Sequence, residues 1–516
     1  MPAPRAVRSG RPRGGDTLAQ VAGSPDRRLL RWRDGSSRRT AAAAARDRDR
    51  SALSSPADDP GLLTAAQTSL LLDLYELTMA ASYLERGMNQ PAIFELFVRR
   101  LPPGRRWMLV AGLGPALRLI TEMRFGAAEL RYLERIGLGS LLIRFLERYR
   151  FSGRIDAMPE GTIAFAGEPL VRVTAPRVEG QLLETLLLNQ INFQTTIATK
   201  AARIVLAAGG GEAGAGERVV DFSPRRDHGV TAAMGVARAA AIAGVRGTSN
   251  VAAAMRYGLR PVGTMAHSYV MSFDDEPSAF RAFMQDTPAS ESYVSTSIVV
   301  FAGVSNAIAA ALQTGVPLGG VRLDSGDLLT LSRAARGLLD DAGMTATMIV
   351  GSGDLEEHQI TQLVAAGAPI DVWGVGTELG TSRDAPALGG VYKLVADAVR
   401  IDAQWRPVRK RSPAKETIPG PKQVFRNLRD GVMVGDVIAE ASEDHSGRPL
   451  LALFVDDGEL VRREPMETMQ ARALRDLGEL PEWLRRVLPA GDAAYPVAFS
   501  PRLAELVSSL GPESTG

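Results

Sequence analysis

The sequence predicts an α/β protein whose larger part is a barrel or open sheet of parallel strands. Three observations carry that expectation. Between residues 218 and 395, short strand-like runs alternate with helical patterns, as parallel strands joined by helical crossovers do. Arg225, His267, Asp324, Ser352 and Gly376 each fall just after such a run. In a barrel those points converge on one rim, where strand-to-helix loops build active sites, and this favours the barrel. The length, 516 residues, suits two or three domains of about 100–200 residues each.

Taken in order, residues 1–60 hold 13 Arg, 7 Asp and no Lys, a charge of +6, with few large apolar side chains. They read as a disordered extension or as an upstream region absent from the mature chain, with a nucleic-acid-binding arm as a third reading. Ala41–Ala45 is too short for the apolar centre of a signal peptide, and the seven Asp speak against a transit peptide. The remaining chain carries −4, which argues against a general nucleic-acid binder. No apolar run approaches the roughly 18–20 residues of a membrane helix, so neither nucleic acid nor membrane is an expected partner. Cysteine is absent. That excludes disulfides, thiolate zinc sites and a cysteine nucleophile, and it fits a cytoplasmic location.

Residues 61–200 are expected to form an N-terminal α/β domain, completed by C-terminal segments. It has a helix over 70–84, a strand over 93–98 and a buried helix over 182–199, a stretch free of Gly and Pro. A Gly/Ala loop follows at 209–216. The barrel is assigned to 201–395, with strands at Val219–Phe222, Val262–Ala266, Gly320–Leu323, Thr347–Val350 and Ile370–Val375. Leu328, Leu331, Ala335, Leu338 and Leu339 recur three or four apart, which predicts a helix with one apolar face. Residues 396–516 are read as β-rich and helical segments, with strands near 423–426 and 450–455.

Five strings place chemistry after strands. In Arg322-Leu323-Asp324 the two charged residues lie two apart, so an extended chain points them the same way. Arg322 can hold an anion while Asp324 takes a hydroxyl or Mg²⁺; a structural ion pair is the competing reading. Ser352-Gly353-Asp354 joins a strand to a helix through small residues, with Asp354 as the expected N-cap. Exposed N–H groups at such a turn bind phosphate, although a plain capped turn has the same sequence. Gly376-Thr377 is a second turn of this kind, and the two suggest one phosphate cradle. His267, one of only four histidines, ends the string Gly263-Thr264-Met265-Ala266-His267 before Ser268; alone, such a His is more often structural than catalytic. The paired Arg225 and Arg226 after Phe222 suit a carboxylate or phosphate ligand, or simply a solvated face. Together these strings suggest an enzyme acting on a phosphorylated, anionic small molecule.

From about Leu62 to about Arg426 the chain resembles nicotinate phosphoribosyltransferases. The matching strings include Asp73-Leu74-Tyr75-Glu76-Leu77-Thr78, Phe94 to Arg100, Ile197 to Arg203, Gly247-Thr248-Ser249-Asn250, Gly263 to Ser268 and Arg322 to Asp327. They continue through Asp384 to Leu394, Lys415, and Pro419 to Val424. The resemblance implies a type II phosphoribosyltransferase fold, an irregular TIM-like α/β barrel packed with an N-terminal α/β domain. It implies the ATP-coupled joining of nicotinate to 5-phosphoribosyl 1-pyrophosphate, giving nicotinate mononucleotide for NAD biosynthesis. Mg²⁺ is the implied cofactor, ATP the co-substrate, and a homodimer with shared active sites the implied assembly.

By family position, His267 is the phosphohistidine, and Arg322 and Asp324 complete the catalytic set. Asp324 is implied at ribose hydroxyls or Mg²⁺-linked groups and Arg322 beside the pyridine. Ser352, Gly353, Asp354, Gly376 and Thr377 are implied at the 5′-phosphate, and Thr264 and Ser268 flank the His. Phe222 and Tyr75 of the partner subunit would sandwich the ring, with Arg225 and Ser249 near its carboxylate. Arg99, Arg100, Lys393 and Lys410 are implied contacts to pyrophosphate or ATP phosphates. A Ser at 249 can donate to a carboxylate, where the nicotinamide-using relatives commonly have Asp. That favours nicotinate over nicotinamide, and quinolinate would need further cations. A catalytically inactive phosphate-ligand-binding homologue is the remaining alternative. Leu72 and Ser223-Pro224 depart from the usual family text, and Pro224 has no N–H to offer a substrate.

Overall fold

Short strands ending in polar turns dictate the architecture around the site. The computed structural model describes residues 67–209, 218–287, 293–295, 300–398, 405–410, 416–487 and 493–510. The chain divides into two units, Met1–Leu62 and Leu63–Gly516, and every described residue belongs to the second. Residues 1–60 and 210–216, both assigned from sequence, lie outside the described residues.

Seven parallel strands run in the order Arg260–Pro261, Gly247–Thr248, Val219–Asp221, Val372–Val375, Met348–Gly351, Gly320–Leu323, Tyr293–Ser295. In chain order each strand pairs with the next, apart from one seam, and Val372–Val375 returns to pair with Val219–Asp221. Among the described residues the ring is unpaired only between Arg260–Pro261 and Tyr293–Ser295. The sheet is therefore a barrel with one seam. Val220, Val350 and Val372 meet inside it, backed by Phe222, Val262 and Met348. They leave a cavity of only about 20 Å³, so the barrel is filled and binding belongs to its rim.

The helices between these strands are set by local signals. Asp327 caps Leu328–Asp341 by accepting from Leu329 N (3.1 Å) and Thr330 Oγ1 (2.6 Å). The apolar face then buries Leu328, Ala335 and Leu339. Asn250 caps Val251–Tyr257, which ends at Gly258 in the left-handed region. Two expectations need correction. The strand expected at Val262–Ala266 lies at Arg260–Pro261; Pro261 has no N–H and sits at the seam, so the chain leaves the sheet once Val262 N–H has bonded Thr248 O. Asp354 is not the cap of the following helix. It sits at φ 47°, and Glu356 caps Glu357–Ala365 through a capping box with Gln359.

A second seven-stranded sheet is antiparallel, in the order Trp405–Pro407, Gly390–Ala398, Pro91–Val98, Pro169–Pro176, Arg154–Ala157, Ala452–Asp456, Glu459–Leu460. The long helix Glu184–Ala207 serves both sheets. Leu186, Leu187 and Ile191 lie in the core of the antiparallel sheet, and Ile197, Ala198, Ala201 and Ile204 in that of the barrel. A four-stranded sheet of Arg448–Pro449, Lys422–Arg429, Val432–Glu440 and Val497–Phe499 completes the C-terminal region.

Candidate active site

Four parallel strands end in the residues that the sequence singled out. Arg322 lies in Gly320–Leu323 and Asp324 follows it; Ser352 follows Met348–Gly351, Gly376 follows Val372–Val375, and Phe222 follows Val219–Asp221. Arg322 Nε donates to Ser352 Oγ (2.8 Å), and its Nη1 reaches Thr264 Oγ1 (3.4 Å). Its guanidinium lies 6.0 Å from the centre of the Phe222 ring. Burial pulls Arg322 below its usual pKa; Asp324 opposes that and Arg225 adds to it.

Asp324 is the junction of the three residues expected to be catalytic. Its Oδ2 is 3.8 Å from Arg322 Nη2 and 3.9 Å from His267 Nε2. Both distances exceed a hydrogen bond, so the trio is assembled but not locked. The His267 side chain is 45% exposed, which leaves its ring open to a ligand. His267 begins the one-turn helix His267–Val270, and Ser268 follows it.

The Ser352 turn, expected at the 5′-phosphate, is shaped by close backbone approach. Gly353 sits at φ 102°, and a Cβ there would lie 2.4 Å from the Asp324 carbonyl oxygen. Only glycine lets the Ser352 turn close on the Asp324 turn. A Cβ at Gly374 would lie 2.6 Å from the Phe222 ring, so that glycine makes room for the aromatic. Thr377 opens the helix Thr377–Thr381. A cavity of about 470 Å³ beside these turns is lined in part by Ser325, Asp327, Ser352 and Gly353. A larger one, about 590 Å³, lies near Arg106, Phe165 and Tyr495. Neither cavity is lined by His267, Arg322 or Asp324, so the site is located by the convergence of that trio and not by cavity size.

The other expected residues divide by sheet. Ser249 follows the barrel strand Gly247–Thr248, and its N–H donates to Asp221 O (2.9 Å). Arg225 lies exposed in the turn after Phe222. Tyr75 lies in the helix Leu74–Glu85 and Lys393 in Gly390–Ala398, while Arg99, Arg100 and Lys410 follow the antiparallel strands Pro91–Val98 and Trp405–Pro407. Tyr75, 45% exposed, hydrogen-bonds Glu184, and burial together with that bond holds its hydroxyl well above the usual range. Lys393 Nζ also reaches Glu184 (3.1 Å). Arg99 lies over the Phe97 ring (5.6 Å), and Lys410 N–H donates to Thr417 Oγ1 (2.8 Å). These contacts of Tyr75, Arg99, Lys393 and Lys410 lie on that side of the chain.

Sequence reading missed two buried groups. Asp221, at a strand end, accepts from Ser223 N–H and Thr248 Oγ1. Behind the Ser352 and Gly376 turns, Lys200 is fully buried and bonds Glu357 (2.5 Å) and Asp384 (2.9 Å). Arg203 bonds Glu357 (2.9 Å), and Arg105 grips Asp384 at 2.7 and 2.9 Å. Burial would raise the Asp384 carboxyl, but hydrogen bonds and charge from Arg105 and Lys200 hold it well below the usual carboxylate range. The apolar Leu182–Thr199 run gave away the helix that carries Lys200 and Arg203, but not their partners. Among the described residues no three His, Asp or Glu cluster as a metal site, and no helix is long and apolar enough to cross a membrane.

This geometry has relatives. Residues 70–192 match the family model described as the nicotinate phosphoribosyltransferase (NAPRTase) N-terminal domain, and residues 218–430 match that of the nicotinate phosphoribosyltransferase (NAPRTase) family. The chain is 44% identical over 440 residues to nicotinate phosphoribosyltransferase pncB2 of Mycobacterium tuberculosis, covering 84% of this chain and 92% of the relative. It is 42% identical over 400 residues to the Bacillus subtilis nicotinate phosphoribosyltransferase, covering 75% and 79%. The crystal structure of human nicotinic acid phosphoribosyltransferase superposes with a TM-score of 0.69 at 27% identity, covering 85% of this chain and 99% of that one.

Proposed function

The chain belongs to the nicotinate phosphoribosyltransferase family, and from that premise we propose how its own residues carry the reaction. The activity is the joining of nicotinate to 5-phosphoribosyl 1-pyrophosphate in NAD biosynthesis, coupled in this family to ATP. The observation that supports the residue roles best is the meeting of Arg322 and Asp324, at the end of a parallel strand, with His267, beside the glycine-shaped Ser352 turn.

In this reading, the Ser352-Gly353-Asp354 and Gly376-Thr377 turns receive the 5′-phosphate on backbone N–H groups. Phe222 faces one side of the pyridine, Tyr75 of the partner subunit the other, and Arg225 and Ser249 meet the carboxylate. The pyridine nitrogen displaces pyrophosphate from C1 of the ribose. Positive charge grows on the sugar ring and negative charge on the leaving group, so preorganised cations are the main catalytic resource. Arg322 orients the ring, and Asp324 binds the ribose hydroxyls beside the positive C1. His267 accepts the γ-phosphoryl of ATP on its neutral imidazole, releasing ADP, and later yields it to water. Thr264 and Ser268 flank that ring, and Arg99, Arg100, Lys393 and Lys410 supply cations to the pyrophosphate or ATP phosphates.

Mg²⁺ belongs to the same proposal. Mg²⁺ needs only one or two carboxylates when substrate phosphates complete its shell. Asp324, with long contacts to its neighbours, fits that arrangement. When bound, the ion would neutralise charge on the departing pyrophosphate. A homodimer is supported by apolar side chains left bare near Ser249, Val251 at 70% and Met255 at 85% exposure. Sedimentation of a single-chain mass at micromolar concentration would remove that reading. A cytoplasmic location fits the absence of cysteine, and cell fractionation tests it.

The deciding experiment offers the protein 5-phosphoribosyl 1-pyrophosphate and Mg²⁺ with nicotinate, nicotinamide or quinolinate, with and without ATP. Mononucleotide from nicotinate alone, stimulated by ATP, supports the reading; product from another pyridine overturns the roles given to Ser249 and Arg225. His267→Ala should abolish covalent labelling from γ-labelled ATP and the ATP stimulation, while some uncoupled synthesis persists. Undiminished labelling would move the phosphoryl acceptor elsewhere.

A further inference from the structure

The two loops expected to hold the pyridine meet at one buried carboxylate. Asp221 is 1% exposed and ends the strand Val219–Asp221. Its Oδ1 accepts from Ser223 N–H (2.9 Å), in the loop that carries Phe222. Its Oδ2 accepts from Thr248 Oγ1 (2.8 Å), in the neighbouring loop that carries Ser249. Its backbone carbonyl accepts from Ser249 N–H (2.9 Å). Phe222 N–H is held separately by Val375 O (2.8 Å).

The polarity of this junction is fixed. Thr248 has one hydroxyl proton, and donating it to Asp221 leaves a lone pair for Asn250 N–H (3.0 Å). Asn250 in turn caps Val251–Tyr257 through Ala253 N–H (3.1 Å). One relay therefore runs from the Phe222 loop through Asp221 and Thr248 to both sides of Ser249. The far end of the Phe222 loop is tied as well. Ser223 Oγ donates to Asp227 Oδ2 (3.2 Å). A Cβ at Gly380 would lie 2.1 Å from Asp227 Oδ1, so the loop packs directly on the helix behind the second phosphate turn. The Ser223-Pro224 departure from the family's usual text is thus absorbed: the serine bonds through both its N–H and its hydroxyl, and Pro224 has no N–H to satisfy.

We infer that Asp221 is a positioning residue for the pyridine, setting the distance between the ring-facing Phe222 and the carboxylate-facing Ser249. It touches no substrate and acts through those two residues, so the inference rests on their proposed roles. Losing the relay loosens two walls of one subsite. A structural role alone would lower melting temperature or kcat without selecting one substrate; a positioning role raises the KM for the pyridine above all.

The test uses Asp221→Asn, which keeps the acceptor for Ser223 N–H but leaves the Thr248 hydroxyl proton without its acceptor. Thr248→Val removes the hydroxyl at nearly constant volume and stands in if the first variant fails to fold. Thr248→Ser keeps the hydroxyl. Asp221→Asn and Thr248→Val should each raise the KM for nicotinate about tenfold, as the loss of one hydrogen bond allows. The KM for 5-phosphoribosyl 1-pyrophosphate should stay within about twofold, a shift too small for a lost hydrogen bond. Thr248→Ser should match the parent, and the double variant should be no worse than the poorer single one, because both remove the same link. Phe222→Ala separates the two levels of the argument. If it raises the nicotinate KM while Asp221→Asn and Thr248→Val do not, the positioning role falls and the pyridine site stands. If Phe222→Ala leaves that KM unchanged, the pyridine-site reading itself falls.

Discussion

Two clusters of charged side chains, both with Arg and Asp among their members, flank the Ser352 and Gly376 turns and are wired in opposite ways. At the rim, His267, Asp324 and Arg322 stand 3.8–3.9 Å apart and partly open to solvent. Behind the turns, Lys200, Arg203, Arg105, Glu357 and Asp384 are joined mostly at 2.5–2.9 Å, and the Lys200 and Glu357 side chains are almost wholly excluded from solvent. Glu357 is the first residue of the helix after the Ser352 turn, and Glu378, 3.9 Å from Lys200, is the second residue of the helix after Gly376. The rear cluster thus ties down the helices that follow the two turns proposed to cradle the phosphate. In the proposed reading the rim trio, held at 3.8–3.9 Å, is the part that substrate completes. Since Arg and Asp occur in both, the difference teaches that burial and close pairing, and not the presence of these residue types, mark a scaffold.

The sharpest way to break the comparison is to open the rear cluster. Lys200→Met leaves Glu357 and Asp384 with less compensating charge inside the protein. Removing one partner of a buried ion pair costs about 3–5 kcal/mol. Here Arg203 and Arg105 remain, so the lower end, about 3 kcal/mol, is expected. It would be read as a lowered urea midpoint at unchanged m-value, with any loss of activity following the loss of folded protein. A midpoint equal to the parent's would mean that the cluster does not hold the turns.

Arg322→Ala should do the reverse. Removing one preorganised cation from a site where charge develops costs roughly 10²–10³-fold in rate. The urea midpoint should scarcely move, since Ser352 keeps its backbone tie to Leu323 O (2.9 Å). Initial rates at saturating substrates check the first part and denaturant curves the second. A destabilisation as large as that of Lys200→Met would place Arg322 with the scaffold.

Glu76 tests what a buried carboxylate does without a cation. It is fully buried in the helix Leu74–Glu85, and Thr185 donates to it through both N–H and hydroxyl. Burial still pushes its carboxyl up to about 7 from the usual 4.5. Because the folded state holds the proton more tightly, stability is lost as pH rises from about 4.5 to about 7. Glu76→Gln keeps the shape and the acceptor for Thr185 without that cost. It should gain up to about 3 kcal/mol over the parent at pH 8, an advantage that shrinks by pH 5.5. A gap independent of pH would show that ionisation of Glu76 is not the cause.

How much of this was legible follows the same division. The strand Gly320–Leu323 and the helix beginning at Leu328 could be read because an apolar run, an Asp cap and a period of three to four residues are local signals. Asp324, Ser352 and Gly376 were legible as polar or small residues placed just after apolar runs. The antiparallel sheet was not, because Pro91–Val98 pairs with Gly390–Ala398, almost three hundred residues away, and no local pattern encodes that register. Glu356 and Asp354 are two apart and both acidic, and only the φ of 47° at Asp354 decides which one caps. Asp221 carried no signal, since one Asp at the end of an apolar strand looks like any polar stop. Lys200 was quoted as part of a family string, but its partners at 357 and 384 are contacts of the folded chain.

The smallest effect belongs to a pair that looks like those of the rear cluster on paper. Arg118 and Glu122 lie one helical turn apart at 3.0 Å, with side chains 64% and 57% exposed. Water screens both charges, and holding two long side chains in one geometry costs rotamer freedom. Such pairs contribute about 0.3–0.5 kcal/mol. Arg118→Ala should therefore shift the urea midpoint by less than a tenth of the Lys200→Met change once the better helix propensity of Ala is counted. The fraction lost should also fall further in 1 M salt, where screening is complete within about 3 Å. If Arg118→Ala cost as much as Lys200→Met, distance alone would set the worth of an ion pair, and the contrast between the two clusters would have to be explained by something other than burial.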